Sequence, residues 1–183
     1  DAAIHLVRDA LAARARLVRS YEGCPPVLAA EGRLGQVFVN LLVNAAQAIP
    51  EGRPSENEVR VATRADARGW AIVEVSDTGS GILPEHLPHL FEPFFTTKDV
   101  GKGTGLGLSV VFGIVRSHDG HIDVESEPGR GATFHIYLPL RPAGLTDGAA
   151  AEAPALHGPV SVLVAEDDAE IRQMIASLLE QNG

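Results

Sequence analysis

The segment from Asn40 to Ala48 places amide side chains on one face of an otherwise apolar helix pattern. Asn40 and Asn44 lie one turn apart, although asparagine competes for backbone hydrogen bonds and disfavours a helix interior. The amide stripe consists of Gln36, Asn40, Asn44 and Gln47. It is either a solvated polar face, or its asparagine pair supplies neutral oxygen donors to a metal ion and its phosphates. The apolar residues that recur at helical spacing mark the packing face, and they are Leu34, Val37, Phe38, Leu41, Leu42, Ala45 and Ile49.

Two glycine-rich segments downstream of this helix favour the second interpretation. The run Asp77-Thr78-Gly79-Ser80-Gly81 follows an apolar strand pattern, so its carboxylate is predicted where a strand enters a turn. The run over residues 101–108 carries four alternating glycines and opens a helical pattern. Glycine lets backbone approach a ligand closely, and a helix N-terminus presents free N–H groups to an anion. Together these segments predict a phosphate-binding site.

The spacing of these glycines excludes the common phosphate-binding loops. A P-loop would need glycine at Thr96 and a hydroxyl residue at Gly103. The dinucleotide-binding fingerprint would need glycine at Pro84 or at Leu108, depending on where it starts. The glycine loop of protein kinases would need glycine at Leu106. None of the folds that carry these loops is supported.

Four segments in a fixed order resemble a known family. The first is the asparagine-bearing helix, the second is Asp-x-Gly-x-Gly, the third is Phe-Glu-Pro-Phe-Phe-Thr-Thr-Lys over residues 91–98, and the fourth is Gly-x-Gly-x-Gly-Leu-Gly-Leu. In this order and at these separations they resemble the N, G1, F and G2 boxes of sensor histidine kinases. That group belongs to the wider ATPase superfamily that includes gyrase, Hsp90 and MutL, and Gln47 is typical of its NtrB-like branch. The resemblance covers residues 1–140.

The resemblance implies a site for ATP and Mg²⁺. It makes Asn44 the magnesium ligand and Asn40 its neighbour facing the phosphates, which gives these two residues the catalytic roles. It also makes Asp77 the acceptor for the adenine amino group, while Gly79 and Gly81 would make room for the base. The other residues that it places at the nucleotide are Gln47, Ile82, Thr97, Lys98, Lys102, Gly103, Thr104, Gly105, Leu106, Gly107, Leu108 and Thr133.

The residue type at position 40 bears on the fate of the nucleotide. In the hydrolysing relatives this position carries a glutamate that activates water. An amide such as that of Asn40 cannot take the proton, so bound ATP is expected to persist until a phosphoacceptor arrives. An ATPase of the gyrase–Hsp90–MutL group is therefore the disfavoured alternative. A nucleotide-binding scaffold that never transfers phosphate is the other alternative.

The predicted fold is a two-layer α/β sandwich, in which helices cover one face of a mixed sheet. Helical patterns extend over 1–15, 32–49 and 106–118, and an extended segment covers 16–21. A strand pair is predicted over 58–65 and 70–76, a hairpin over 121–126 and 132–138, and a lid over 83–104. This catalytic and ATP-binding domain is expected to span 1–140, with a linker rich in alanine, proline and glycine over 141–159.

Residues 160–183 resemble the first strand, acidic loop and first helix of a response-regulator receiver domain. In that family the acidic pair, here Glu166 and Asp167, helps hold magnesium beside a phosphoacceptor aspartate on a later strand. That strand does not follow in this chain, so the magnesium site is expected to be incomplete. The alternative is that Asp168 or a neighbour caps the helix.

Composition limits the partners and the compartment. The net charge of −9 disfavours a nucleic acid or an anionic membrane as partner. Cys24 is the one cysteine, so a reducing compartment is expected. No apolar run reaches the ~20 residues that a membrane helix needs, and no signal peptide is visible. We therefore expect a cytoplasmic fragment without direct membrane contact, whose parent is compatible with an upstream membrane anchor.

The function that the resemblance implies is that of the ATP-binding catalytic domain of a hybrid histidine kinase. It would transfer the γ-phosphoryl group of ATP to a histidine on an upstream dimerisation domain, with a receiver domain as the further partner and a homodimeric parent. The chain contains seven histidines. His5 is followed by Leu6-Val7-Arg8 and does not match the phosphoacceptor box, which is His-Glu-x-x-Asn-Pro-like. The other histidines are interpreted as surface or packing residues.

Overall fold

The computed structural model describes residues 2–98 and 103–140. Within these residues it contains three α-helices and five β-strands, which follow the helical and strand periodicity of the sequence. The helices are α1 (Ala2–Ala12), α2 (Glu31–Ala48) and α3 (Gly107–Ser117). The strands are β1 (Arg16–Tyr21), β2 (Glu58–Ala65), β3 (Trp70–Asp77), β4 (His121–Glu127) and β5 (Gly131–Pro139). A short 3₁₀ turn, Leu87–His89, is the regular element of the described lid residues.

The strands form one mixed sheet in the order β1-β2-β3-β5-β4. The pairing of β1 with β2 is parallel, and the other three pairings are antiparallel. The predicted strand pair and hairpin are both present, and Pro128 and Gly129 lie in the hairpin turn. This order puts β3 in the centre of the sheet. The C-terminal residue of β3, Asp77, is therefore flanked by strands on both sides.

Strand alternation separates the two faces of the sheet. On β5, Phe134, Ile136 and Leu138 are buried in the core, and the intervening residues are only partly buried. The core cluster combines such alternate strand residues with the apolar face of α2, including Leu41 and Ile49. Helix α2 contacts α1, α3 and the central strands. The prediction of an α/β fold with a mixed sheet is confirmed.

Two backbone hydrogen bonds explain why α1 ends earlier than predicted. The helical pattern over 1–15 predicts a longer α1, but the N–H groups of Arg14 and Ala15 both donate to the carbonyl of Leu11 at 2.9 Å and close the helix. Helix α3 begins at Gly107, one residue later than predicted, and ends one residue earlier.

Among the described residues, no helix is both long and apolar enough to cross a membrane. The predicted linker and receiver segment, with Glu166 and Asp167, lie outside the described residues.

Candidate functional site

A cavity of about 850 Å³ lies between α2, the end of β3, the lid and the start of α3. This volume is within the range of small-molecule sites. Helix α2 contributes Asn40, Asn44 and Gln47 of its amide stripe to the wall, because the opposite face of the helix is used for packing in the core. Two inward residues of β5, Ala132 and Phe134, complete the wall.

Asp77 is the buried charged residue of this cavity. The residue is 7% exposed, and no other polar residue is buried in the described part of the chain. The Gly79 N–H donates to Asp77 Oδ1 at 2.8 Å. Burial raises the pKa of Asp77, whereas the backbone N–H groups of Gly79 and Ala132 act in the opposite direction. A desolvated carboxylate with unused acceptor capacity is well suited to a ligand that donates hydrogen bonds.

The glycines after Asp77 allow backbone segments to approach closely. A Cβ on Gly79 would lie 2.6 Å from the Ala48 carbonyl oxygen. Gly81 has a φ of +66°, and a Cβ there would lie 2.2 Å from the Glu127 carbonyl oxygen. The expectation that both glycines make room for a base is therefore modified, because the space beside each is filled by backbone. They dock the turn onto the end of α2 and onto the β4–β5 hairpin.

Asn40 and Asn44 both line the cavity and are partly buried. The Asn40 Nδ2 donates to the Gly107 carbonyl oxygen at 3.3 Å, which links α2 to the start of α3. The side chain of Asn44 makes no hydrogen bond to another described residue, so its amide oxygen is available to a ligand. Their partial burial in the cavity wall favours the ligand-directed interpretation of these two residues over a purely solvated face.

The lid is connected to α2 through a lysine. Lys98 Nζ donates a hydrogen bond to Gln47 Oε1, and both residues line the cavity. Burial lowers the pKa of Lys98, since the ammonium group is partly removed from water. A Cβ on Gly103 would approach the Lys98 Cδ to 3.2 Å, so the returning lid segment passes directly over this side chain.

A backbone contact joins the lid to the glycine that follows it. The Phe94 N–H donates to the Gly105 carbonyl oxygen at 2.9 Å, and Phe94 adopts a φ of 68°. Gly105 has a φ of +65°, and a Cβ there would lie 2.4 Å from the Phe94 carbonyl carbon. A larger residue at position 105 would push this segment away from Phe94 of the lid.

Most of the predicted site residues meet at this cavity. Those that line it are Asn40, Asn44, Gln47, Asp77, Gly81, Ile82, Thr97, Lys98, Gly103, Thr104, Gly105, Gly107 and Leu108. Gly79 lies behind the wall, where it holds Asp77, and Leu106 precedes α3 with a 38% exposed side chain. Lys102 lies outside the described residues.

The structure does not support the predicted nucleotide contact of Thr133. Its hydroxyl is hydrogen-bonded to that of Ser76 at 2.7 Å, on the face of the sheet opposite the helices. The preceding residue, Ala132, points into the cavity instead. Side chains alternate along a strand, so an error of one position moves a residue to the other face. The face on which Thr133 lies is determined by the register of β5 against β3, which the sequence alone does not give.

Sequence reasoning also misses two aromatic residues of the wall. His86 and Phe95 line the cavity, and their ring centroids are 5.7 Å apart in an edge-on arrangement. The interpretation of His86 as a surface or packing histidine is therefore incomplete, and Phe95 is predicted only through its place in the 91–98 segment. Both lie in a segment without regular periodicity, so no sequence pattern predicts which way they face. The inward direction of Phe134, by contrast, follows from strand alternation.

Comparisons with known proteins agree with this geometry. The family described as "Histidine kinase-, DNA gyrase B-, and HSP90-like ATPase" matches residues 29–142. Sensor kinase CckA of Brucella abortus is 40% identical over 177 residues, which cover 86% of this chain and 19% of that protein. Sensor histidine kinase ZraS of Klebsiella oxytoca is 49% identical over 108 residues, covering 59% of this chain and 22% of that protein. The chain thus spans about a fifth of the length of these curated relatives.

Solved structures show the same fold. The mycobacterial sensor histidine kinase MprB superposes with a TM-score of 0.67 at 29% identity, covering 78% of this chain and 93% of that one. The catalytic domain of histidine kinase ThkA gives 0.62 at 28% identity, covering 75% and 89%. The family match covers more than half of the chain, and the sequence boxes meet at one cavity. The chain therefore belongs to the family of histidine kinase-, DNA gyrase B- and HSP90-like ATPases, as an ATPase catalytic domain homologous to those of sensor histidine kinases.

Proposed function

We propose that this catalytic domain binds ATP with Mg²⁺ in the cavity and transfers the γ-phosphoryl group to a histidine on a separate dimerisation domain. The observation that carries the proposal is the cavity itself. It brings the buried carboxylate of Asp77 together with the amides of Asn40 and Asn44 and with a glycine-rich lid. Each group matches a different part of a nucleotide.

Asp77 is suited to adenine. The Gly79 N–H occupies Oδ1, and the remaining acceptor capacity of the carboxylate would receive the amino group of the base. Guanine presents a carbonyl oxygen at the corresponding position, so two acceptors would face each other without a donor. This mismatch supports a preference for ATP over GTP.

The donor chemistry around Asn44 fits a magnesium ion that is shared with phosphates. Magnesium prefers oxygen ligands and keeps several waters, so it is commonly bound through few protein groups together with substrate phosphates. The described residues contain no cluster of three or more His, Cys, Asp or Glu side chains that could hold a metal ion. Asn44 would therefore supply one amide oxygen. When bound, the ion would neutralise charge on the phosphates.

The remaining groups orient the nucleotide and protect it from water. Lys98 and the N–H groups at the start of α3 would face the phosphates, because a helix N-terminus favours an anion. Among the described lining residues, Asp77 is the only carboxylate, so none lies at position 40 to activate water. Asn40 instead contacts the Gly107 carbonyl. Positioning and charge neutralisation would supply most of the catalysis.

We also propose the assembly in which the reaction takes place. A histidine-bearing dimerisation domain would accept the phosphoryl group within a homodimeric parent, and a receiver domain would take it further. Because ATP is the phosphoryl donor, we propose that the reaction takes place in the cytoplasm. The same proposal includes the division of the chain into a catalytic domain over 1–140, a linker over 141–159 and a receiver segment over 160–183. Glu166 and Asp167 would belong to an incomplete receiver-type magnesium site in that last segment.

Phosphotransfer in trans tests this function. The 183-residue chain should leave ATP intact when incubated alone with Mg²⁺, and a supplied histidine-bearing hairpin domain should become labelled by γ-³²P-ATP with acid-labile phosphate. Asn44→Ala should abolish labelling because it removes the magnesium ligand. Asn57→Ala is the matched control, since Asn57 is an asparagine outside the cavity whose amide contacts the Arg53 carbonyl.

Three outcomes would contradict the proposal in different ways. Transfer at the parental rate by Asn44→Ala would refute the role of that residue. Steady hydrolysis by the chain alone would favour an ATPase of the gyrase–Hsp90–MutL type. ATP binding without transfer to any supplied hairpin domain would favour the nucleotide-binding scaffold.

A further inference from the structure

The hydrogen bond between Lys98 and Gln47 joins two elements that are 51 residues apart in the sequence. Gln47 is an exposed residue of the last turn of α2, and Lys98 belongs to the lid. Both line the same cavity as Asn44 and Thr97. The contact therefore connects the lid to the helix that carries the amide stripe.

The chemistry of this pair does not neutralise the positive charge of the lysine. An amide oxygen accepts a hydrogen bond from an ammonium group but carries no compensating charge. None of the ion pairs among the described residues involves Lys98. Burial also lowers the pKa of Lys98, because the ammonium group lacks full solvation. An anion arriving at this position would compensate the charge.

The residue type at position 47 is decisive for this arrangement. A carboxylate there would bind Lys98 as an ion pair and would repel phosphates. A second ammonium group there would repel Lys98 from the helix. Glutamine avoids both effects, because it restrains the lysine side chain and leaves its charge available.

We infer that Gln47 is a positioning residue, which holds the Lys98 ammonium group against α2 so that it recognises the outer phosphates of the bound nucleotide. The inference rests on the proposed function and extends it. Adenine is recognised through Asp77, whereas the Gln47–Lys98 pair discriminates between a triphosphate and a monophosphate. In this arrangement the cation for the phosphates comes from the lid and its position is set by the helix.

A comparison of Mg-ATP and AMP affinities tests the inference. The full 183-residue chain is titrated with each nucleotide by displacement of a fluorescent adenine nucleotide. Gln47→Met keeps the side-chain length but removes the acceptor, and it should lower ATP affinity about tenfold while leaving AMP affinity unchanged. Tenfold corresponds to about 1.4 kcal/mol. Gln36→Met is the matched control, because Gln36 is exposed on the same helix outside the cavity, and it should bind both nucleotides like the parent.

A double-mutant cycle separates positioning from packing. Lys98→Met should lower ATP affinity at least as much as Gln47→Met, and adding Gln47→Met to it should have no further effect. The Gln47→Glu variant should also lose ATP affinity, although it can still accept a hydrogen bond from Lys98. A role in packing alone would instead lower ATP and AMP affinity equally.

Three results would overturn the inference: parental ATP affinity in Gln47→Met, equal losses for ATP and AMP, or additive effects in the double variant. Failure of the proposed function is distinguishable from these. A parent that binds neither nucleotide would sink both proposals. A parent whose ATP affinity depends on Asp77 but is insensitive to Gln47→Met would sink only this one.

Discussion

At the residue scale, Asp77 illustrates a conflict between stability and binding. The carboxylate is almost fully removed from water, and burial raises its pKa despite two backbone N–H groups that oppose the shift. A charged group in such a position costs folding free energy when no ligand compensates it. The proposed adenine contact would explain why the residue is not an amide. We therefore expect function and stability to respond in opposite directions to its replacement.

Asp77→Asn should be at least as stable as the parent near neutral pH without nucleotide. Because the pKa is raised on folding, the folded state holds the proton more tightly than the unfolded state. The contribution of Asp77 is thus most favourable below its unfolded pKa and declines as the pH rises through the folded pKa. Urea unfolding across this acid range should show the parent losing stability relative to the variant as the pH rises. A relative gain by the parent would contradict the assigned shift.

Ala132 and Thr133 provide a matched pair of neighbouring positions with opposite orientations. Ala132→Leu should fill part of the cavity beside Asp77 and lower ATP affinity at least about tenfold, because overpacked sites accommodate extra atoms poorly. Thr133→Val should keep parental affinity. It should cost only about 0.5–1.5 kcal/mol of stability through the lost bond to Ser76. Equal binding defects, measured by calorimetry, would show that the orientation of β5 is wrong.

At the scale of elements, close backbone approach determines where the cavity forms. Gly131 begins β5 with a φ of +88°, and a Cβ there would lie 1.9 Å from the Asp77 carbonyl oxygen. Gly129, in the preceding turn, has a φ of +78°, but a Cβ there would meet no heavy atom within 4 Å. A comparison of the two positions therefore distinguishes the cost of backbone strain from the cost of steric overlap.

Alanine at each position should give clearly different losses of stability. Gly129→Ala should cost about 1–2 kcal/mol, which is the usual cost of a left-handed conformation for a residue with a Cβ. Gly131→Ala adds a clash with backbone that no rotamer can relieve, so it should cost at least about 2 kcal/mol more. Urea unfolding of both variants measures the difference. Similar losses would mean that β5 can move away from Asp77 without penalty.

The extent to which the sequence predicts these elements depends on the range of the interactions. Helices and strands with clear periodicity are predicted within a few residues, because burial of one face imposes the pattern. The boxes that form the cavity are also predicted, since their order is distinctive. The end of α1 depends instead on which N–H groups turn back to Leu11. Thr133, Gly79 and the Lys98–Gln47 contact depend on how distant segments meet, which local patterns do not determine.

At the scale of the whole molecule, the sheet order gathers separate sequence boxes into one site. Placing β3 between β2 and β5 buries the end of the strand, and α2 and α3 cover the same face. Asp77 thus lies at the base of the cavity while the lid forms its outer wall. We propose that this arrangement recognises an adenine nucleotide.

Calorimetric titration of the full chain with Mg-ATP and Mg-GTP tests this recognition, with Asp77→Asn as the second sample. The parent should bind ATP about tenfold or more tightly than GTP. Asp77→Asn should weaken ATP binding by about 1–3 kcal/mol, as expected when a buried hydrogen bond to a charged group is spoiled. Equal affinities of the parent for ATP and GTP would contradict the assignment of Asp77 and, with it, the identification of the cavity as an adenine nucleotide site.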